Sequence, residues 1–226
     1  MLTAIIVAAG SSRRVGFDKL TASLAGKPVL EHAVDAFEQA ASVTGVVIVT
    51  RADRLSELKD LLRNKRKISD IVAGGEHRQD SVRAGLQALR AAAKFVAVHD
   101  AARPLVTPEQ IENVFARARE SGAASLAEPV TDTLKRVDTE LAVCESIDRR
   151  QVYAMQTPQI FARDLLEEAY RAVLARHLLI TDEVSAVEQL GHKVLLVPNT
   201  DFNFKITFER DLRMADFLLR ARAGRA

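Results

Sequence analysis

At 226 residues, with 48% apolar and 27% charged residues, the chain can bury a sizeable core and is no disordered segment. Thirty-two Lys and Arg stand against 30 Asp and Glu, a formal charge of +2 that is too even for a dedicated nucleic-acid binder. Cys144 is the only cysteine, so an intrachain disulfide and a cysteine metal cluster are both excluded, and no apolar run reaches the ~20 residues of a bilayer span.

The first predicted element is a strand over residues 2–8. It lacks the basic flank of a signal peptide and is followed at once by polar residues, so a cytoplasmic protein is expected. Further strands are predicted over 46–50, 68–72, 95–99 and 124–127. Most are continuously apolar, the pattern of a parallel sheet covered on both faces. Helical periodicity fills the intervals. Residues 28–37 put Val29, Leu30, Ala33, Val34 and Phe37 on one face behind a first-turn proline. Asp53 reads as the cap of a helix carrying Leu55, Leu58, Leu61 and Leu62. A helix over 81–93 carries Val82, Leu86 and Leu89, and Thr107 with Gln110 forms a capping box ahead of Ile111, Val114 and Phe115. This alternation predicts an α/β fold with a doubly wound, mainly parallel sheet, which holds ligands at the carboxyl ends of its strands.

Beyond Pro129 the pattern changes. Strands over 133–137 and 142–147 flank Asp138-Thr139-Glu140 with no helix between them, and so read as an inserted β-hairpin. A lone hairpin is marginal in water, so this one should pack on the body or reach a partner subunit. Helices over 164–176 and 182–190, a strand over 194–197 and a last helix from about 209 to 219 follow, with Arg220, Arg222 and Arg225 as a solvated tail.

Three segments carry the chemistry. After the first strand comes Ala8-Ala9-Gly10-Ser11-Ser12-Arg13-Arg14-Val15-Gly16-Phe17-Asp18-Lys19, which is neither a dinucleotide fingerprint nor a P-loop. Gly10 lets the backbone approach a ligand, Ser11 and Ser12 offer hydroxyls, and Arg13, Arg14 and Lys19 supply cations, the ingredients of a polyphosphate cradle or of a solvated basic loop. Gly74-Gly75-Glu76-His77-Arg78-Gln79-Asp80-Ser81 can bring backbone against a flat ring, with Ser81 on a base edge, or can simply make a tight turn. His99-Asp100-Ala101-Ala102-Arg103-Pro104 ends a strand, where Asp100 could face a metal–phosphate complex and Arg103 an anion, or the two could pair internally. His99 reads as packed and hydrogen-bonded. Thr181 reads as a helix cap, Arg150 as a surface charge and Asp132 as a turn residue.

Taken together these segments resemble the 2-C-methyl-D-erythritol 4-phosphate cytidylyltransferase family of the non-mevalonate isoprenoid pathway. The resemblance runs in order through Ala8-Ala9-Gly10, Gly74-Gly75 with Arg78 and Asp80-Ser81-Val82, and His99-Asp100-Ala101-Ala102-Arg103-Pro104. It continues through Asp132-Thr133 with Lys135-Arg136, Asp148-Arg149, Thr157-Pro158-Gln159, Thr181-Asp182-Glu183 and Lys205-Ile206-Thr207. It implies a Rossmann-like nucleotidyltransferase domain over 1–226 with a hairpin dimerisation arm at about 130–155, and transfer of CMP from CTP to a small sugar-alcohol phosphate. Catalytic roles are implied for Arg14, Lys19, Arg149 and Lys205. Ala8, Ala9, Gly10, Ser11, Gly74, Gly75 and Ser81 would bind the nucleotide. Asp100, Arg103, Thr133, Arg149, Thr157, Thr181 and Lys205 would bind the acceptor, with Thr133 and Arg149 reaching the neighbouring site of a homodimer. Mg²⁺ would ride mainly on the triphosphate, with Asp100 as its protein ligand. No nucleic acid or membrane is implied as a partner.

The chain departs from the family in its first loop. Ser12 replaces a common glycine, Val15 a Met or Leu, and Asp18-Lys19-Leu20 stands for Pro-Lys-Gln. A ribitol-5-phosphate cytidylyltransferase is the alternative within the class, and a nucleotide-binding domain without activity is the alternative outside it.

Overall fold

The computed structural model describes residues 1–10 and 18–224. In chain order they form β1 (Leu2–Val7), a small hairpin of β2 (Ser23–Leu24) and β3 (Lys27–Pro28), α1 (Val29–Gln39), β4 (Val43–Thr50), α2 (Leu55–Leu61), β5 (Ile68–Ala73), α3 (Arg78–Gln87) and β6 (Phe95–Asp100). There follow α4 (Pro108–Ser121), β7 (Ala123–Pro129), β8 (Leu134–Val137), β9 (Val143–Ile147), β10 (Tyr153–Ala162), α5 (Arg163–Ala175), α6 (Glu183–Glu188), β11 (Leu195–Pro198) and α7 (Glu209–Ala223). Among the described residues the main sheet has seven strands in the order β11-β7-β10-β6-β1-β4-β5. β1 pairs in parallel with β4 and β6, β4 with β5 and β7 with β11. Only β10 runs antiparallel, between β6 and β7.

Alternation along the central strands builds a core on each face. Leu2, Ala4, Ile6 and Ala8 of the first strand and its end join Val46 and Ile48 of β4 under α1 and α4, through Leu30, Val34, Phe37, Ile111 and Val114. Ile5, Val47 and Val49 point the other way, against Val82 of α3, Leu166 and Tyr170 of α5 and Val187 of α6. Each fully buried Leu, Ile or Val contributes roughly 1.5–3 kcal/mol relative to exposure, so β1 and β4 are held rigidly from both sides. A third cluster of Leu24, Val29, Leu105, Ile206 and Ala215 seats α7 against the β2–β3 hairpin. The amide of Ala25 donates to Asp216 at 2.8 Å there.

Several local expectations change. Strand β10 reads poorly from sequence because Pro158 falls inside it; the register shifts between Met155 and Gln159, a bulge at which a proline is tolerated. Helix α3 starts at Arg78, three residues ahead of the expected start, and ends at Gln87. Asp53 makes no side-chain cap bond; it pairs with Arg51 inside a short 3₁₀ turn that precedes α2. Asp182 rather than Thr181 caps α6, its carboxylate accepting from the Ser185 amide at 3.0 Å. The last helix runs on to Ala223, and Arg222 is no loose tail: it donates to the Leu105 carbonyl at 2.8 Å and pairs with Asp201. The capping box of Thr107 and Gln110 forms as expected, with bonds of 3.0 and 3.2 Å.

Candidate active site

The carboxyl ends of the parallel strands bring the described start of the first motif, residues 8–10, together with the second and third motifs. Ala8 donates to the Val49 carbonyl at 2.7 Å, Gly74 to Thr50 at 2.7 Å and Ala101 to Val7 at 3.1 Å, which ties the strand ends into one rim. A Cβ at Gly74 would stand 2.5 Å from Ser81 Oγ and 2.8 Å from Ala9 Cβ. Glycine there lets the first loop, the diglycine turn and the start of α3 close on one another, so Ala9, Gly74 and Ser81 form one surface. A Cβ at Gly75 would meet Asp80 at 2.4 Å, while Gly10 is exposed with open space around it. Ser11 and Arg14 lie outside the described residues, as do Ser12 and Val15.

Lys19 is described, and its neighbours Asp18 and Leu20 are both fixed. Asp18 accepts from the Leu20 amide at 3.1 Å and the Thr21 hydroxyl at 3.0 Å, and pairs with Arg54 at 2.8 Å. Leu20 is buried in the main core. Between a clamped carboxylate and a buried leucine, Lys19 is directed across to the Ile206 carbonyl, 3.3 Å from its Nζ. The first loop therefore meets the segment that carries Lys205.

Asp100 stands at the centre of the charges. Its Oδ2 accepts from Lys205 Nζ at 2.8 Å and its Oδ1 from Arg78 Nε at 3.2 Å. Burial opposes ionisation, but Arg78, Lys205 and Arg103 outweigh it and hold the carboxyl below the usual carboxylate range. Lys205 itself is exposed, yet its backbone is pinned: Ile206 is fully buried and donates to the Ala102 carbonyl at 2.8 Å. Arg103 lies 4.0 Å from Asp100 and donates to the carbonyls of Asn203 at 2.7 Å and Met155 at 3.3 Å. In this structure its guanidinium braces β10 against the loop that holds Asn203.

Thr157, on the β10 bulge, is also engaged internally. The His99 Nε2 lies 3.2 Å from the Arg103 carbonyl, which can only accept, so Nε2 carries the proton. Nδ1 then accepts from the Thr157 hydroxyl at 3.0 Å, and that oxygen accepts from the Asp100 amide at 3.1 Å. Burial pushes His99 down to about 4, so the imidazole is neutral at pH 7. His99 thus links β6 to β10 and sets the height of Asp100 on the rim. The remaining candidates lie farther out. Thr181 is exposed, 3.3 Å from Ser185 Oγ. Thr133 and Arg149 lie at the base of the hairpin β8–β9, which forms a sheet of its own, and Arg149 donates to the Thr131 carbonyl.

Two residues without an assigned role prove central. Glu183 is fully buried and receives a bidentate pair from Arg78 at 2.6 and 2.9 Å plus the Tyr170 hydroxyl at 3.0 Å. Burial lowers the charging of Arg78, but Glu183 and Asp100 outweigh it and raise its proton affinity. The available signal was an acid at the first position of a predicted helix, followed by the apolar Val184, Ala186 and Val187. Among the described residues no group of three or more His, Cys, Asp or Glu side chains could hold a metal. One ionised carboxylate, Asp100, suits a cation brought in on phosphates rather than a protein cage. Arg78, Arg103 and Lys205 all bear on Asp100, so three cations converge on one carboxylate at the rim, an arrangement suited to an anionic ligand.

The family profile described as 2-C-methyl-D-erythritol 4-phosphate cytidylyltransferase matches residues 2–221. The chain belongs to this family. Its similarity to the cytidylyltransferase of that name from Halalkalibacterium halodurans is 41% identity over 95% of both chains. To that of Dehalococcoides mccartyi it is 39%, over 96% of this chain and 95% of the other. Among solved structures, the 4-diphosphocytidyl-2C-methyl-D-erythritol synthase of Anaerococcus prevotii superposes with a TM-score of 0.86 at 30% identity, covering 97% of this chain and 96% of its own. The Thermus thermophilus cytidylyltransferase gives 0.80 at 30% identity, covering 97% and 100%. A cytidylyltransferase is a nucleotidyltransferase, which accords with a positive site at the carboxyl rim of a largely parallel sheet.

Proposed function

We propose that this chain transfers CMP from CTP to 2-C-methyl-D-erythritol 4-phosphate, forming 4-diphosphocytidyl-2-C-methyl-D-erythritol and pyrophosphate for isoprenoid synthesis. The observation that carries the reading is the family match over residues 2–221, nearly the whole chain. The acceptor attacks with a phosphate oxygen that is already an anion, so no general base is needed. The chain's task is to align two anions and to stabilise the charge of the pentacoordinate transition state.

Each group has a part in that scheme. Arg14 and Lys19 neutralise charge on the CTP α-phosphate and on the departing pyrophosphate. Gly74, Gly75 and Ser81 hold the cytosine ring, and Ala8, Ala9, Gly10 and Ser11 the ribose and phosphates. Lys205, steadied by Asp100, meets the acceptor, with Arg103, Thr157 and Thr181 around it. Mg²⁺ on the triphosphate supplies further neutralising charge, and Asp100 is the carboxylate that would hold it. Thr133 and Arg149 serve the neighbouring site of a homodimer. Support comes from the hairpin they flank: Val137, Leu141 and Val143 are exposed on a two-stranded sheet that would be marginal alone. No helix among the described residues is long and apolar enough to cross a membrane, and a cytoplasmic enzyme is the compartment we favour.

The test is pyrophosphate release with CTP, UTP, ATP and GTP, each with and without the acceptor. The proposal requires release that depends on the acceptor and is fastest with CTP. Release independent of any acceptor, or a preference for a purine nucleotide, would sink it.

A further inference from the structure

Behind Asp100 lies a chain of buried contacts that the chemistry above does not use. The Tyr170 hydroxyl of α5 donates to Glu183 at 3.0 Å, and Glu183 takes both terminal nitrogens of Arg78 at 2.6 and 2.9 Å. The third nitrogen of that guanidinium, Nε, turns to Asp100 at 3.2 Å, and Asp100 holds Lys205 at 2.8 Å. The Glu183 backbone is equally fixed. Gln159 of β10 accepts from the Glu183 amide at 3.1 Å and from Val184 at 3.2 Å, while its own amide donates to Asp182 at 2.9 Å. A carboxylate with no exposure, in a helix of six residues, is not needed to start that helix, because Asp182 already caps it. A buried pair also contributes little net stability compared with apolar packing. Its geometry nevertheless has a consequence: a guanidinium fork seized at one end can present only one direction at the other.

We infer that Glu183 is a positioning residue for the acceptor site: it locks the Arg78 fork so that Nε fixes the Asp100 carboxylate, which in turn sets where the Lys205 ammonium stands. The inference rests on the reading of Lys205 as the acceptor-placing cation. Without the Glu183 charge, Arg78 is free to take both oxygens of Asp100, and Lys205 loses its partner. The defect then falls on acceptor placement, since a displacement of about 1 Å in a positioned group costs up to about a hundredfold in rate. Nucleotide binding is spared, because the surface formed by Ala9, Gly74 and Ser81 takes no side chain from this relay and Asp100 keeps its charge.

The experiment is steady-state kinetics and calorimetric CTP binding on Glu183→Gln, with thermal melting as a check of folding. Expected are a fall in kcat/KM for the acceptor of at least about tenfold and a CTP Kd within about threefold of wild type. Unchanged acceptor kinetics in a folded variant would overturn the inference, as would CTP affinity falling in step with turnover. If Glu183→Gln does not fold, Arg78→Lys decides the matter on the less buried partner: an ammonium cannot span both carboxylates, so the same split is expected. Wild-type protein that binds CTP yet turns over no polyol phosphate would instead remove the functional reading itself, which the wild-type arm reports before any variant is compared.

Discussion

Lys205 shows how an exposed side chain can be well placed. Its backbone is fastened through Ile206 to the third core cluster and to Ala102, and its ammonium is held by an ionised Asp100. Replacing it by alanine leaves those anchors intact and removes only the charge proposed to meet the acceptor. Lys205→Ala is therefore expected to lower turnover by about a hundredfold with CTP affinity within about threefold; calorimetry beside steady-state assays would check this, and a selective loss of CTP binding would contradict it. Sequence motifs brought Asp100, Lys205 and Lys19 to notice, and the structure pairs Asp100 with Lys205 and sets Lys19 against the neighbouring Ile206 carbonyl. They could not reveal that Arg103 and Thr157 are engaged with neighbouring backbone and His99. Nor could they reveal Glu183, because the burial of an acid depends on how α5 and α6 pack, and periodicity within six residues says nothing about that.

At the level of elements, the alternation of apolar strands and amphipathic helices was enough for β1, β4, β5, β6, α1 and α4. Strand β10 escaped because a proline and three polar residues interrupt it, and only pairing on both sides makes a strand of it. That strand now carries a pH prediction. Burial lowers the imidazole of His99, at the β6–β10 junction, from 6.5 to about 4. The unfolded chain therefore binds a proton at that residue before the native one does. The stability contribution is complete above about pH 6.5 and is lost as the pH falls towards 4. The expected drop between pH 7 and pH 5 is about 2 kcal/mol from this group. Below that range Asp100, whose carboxyl is also lowered, extends the loss. Urea unfolding at both pH values should show a slope about one proton smaller in a His99→Gln variant than in wild type. Equal slopes would mean that His99 does not titrate differently on folding.

For the whole molecule, the exposed hairpin is the feature that one chain does not account for. Arg149 sits at its base, held to the Thr131 carbonyl, whereas Arg14 belongs to the first loop of the body. If the arm serves a neighbour, mixing Arg14→Ala with Arg149→Ala protein should restore up to about a quarter of wild-type activity, because random exchange makes half the dimers mixed and each carries one intact site. No recovery after verified subunit exchange would place Arg149 in its own chain's site or outside any site. The overall architecture, including the hairpin, was legible because binary patterning sets layers, whereas exposed Val137 and Val143 look the same in the sequence whether or not a second chain covers them.

The central claim concerns the acceptor, and the first loop, with Asp18-Lys19-Leu20, is where the sequence motifs depart from the family resemblance. The decisive measurement is kcat/KM with saturating CTP for 2-C-methyl-D-erythritol 4-phosphate beside ribitol 5-phosphate. A preference for the methylerythritol phosphate of at least about a hundredfold is expected. Equal use of the two, or turnover of ribitol 5-phosphate alone, would contradict the account.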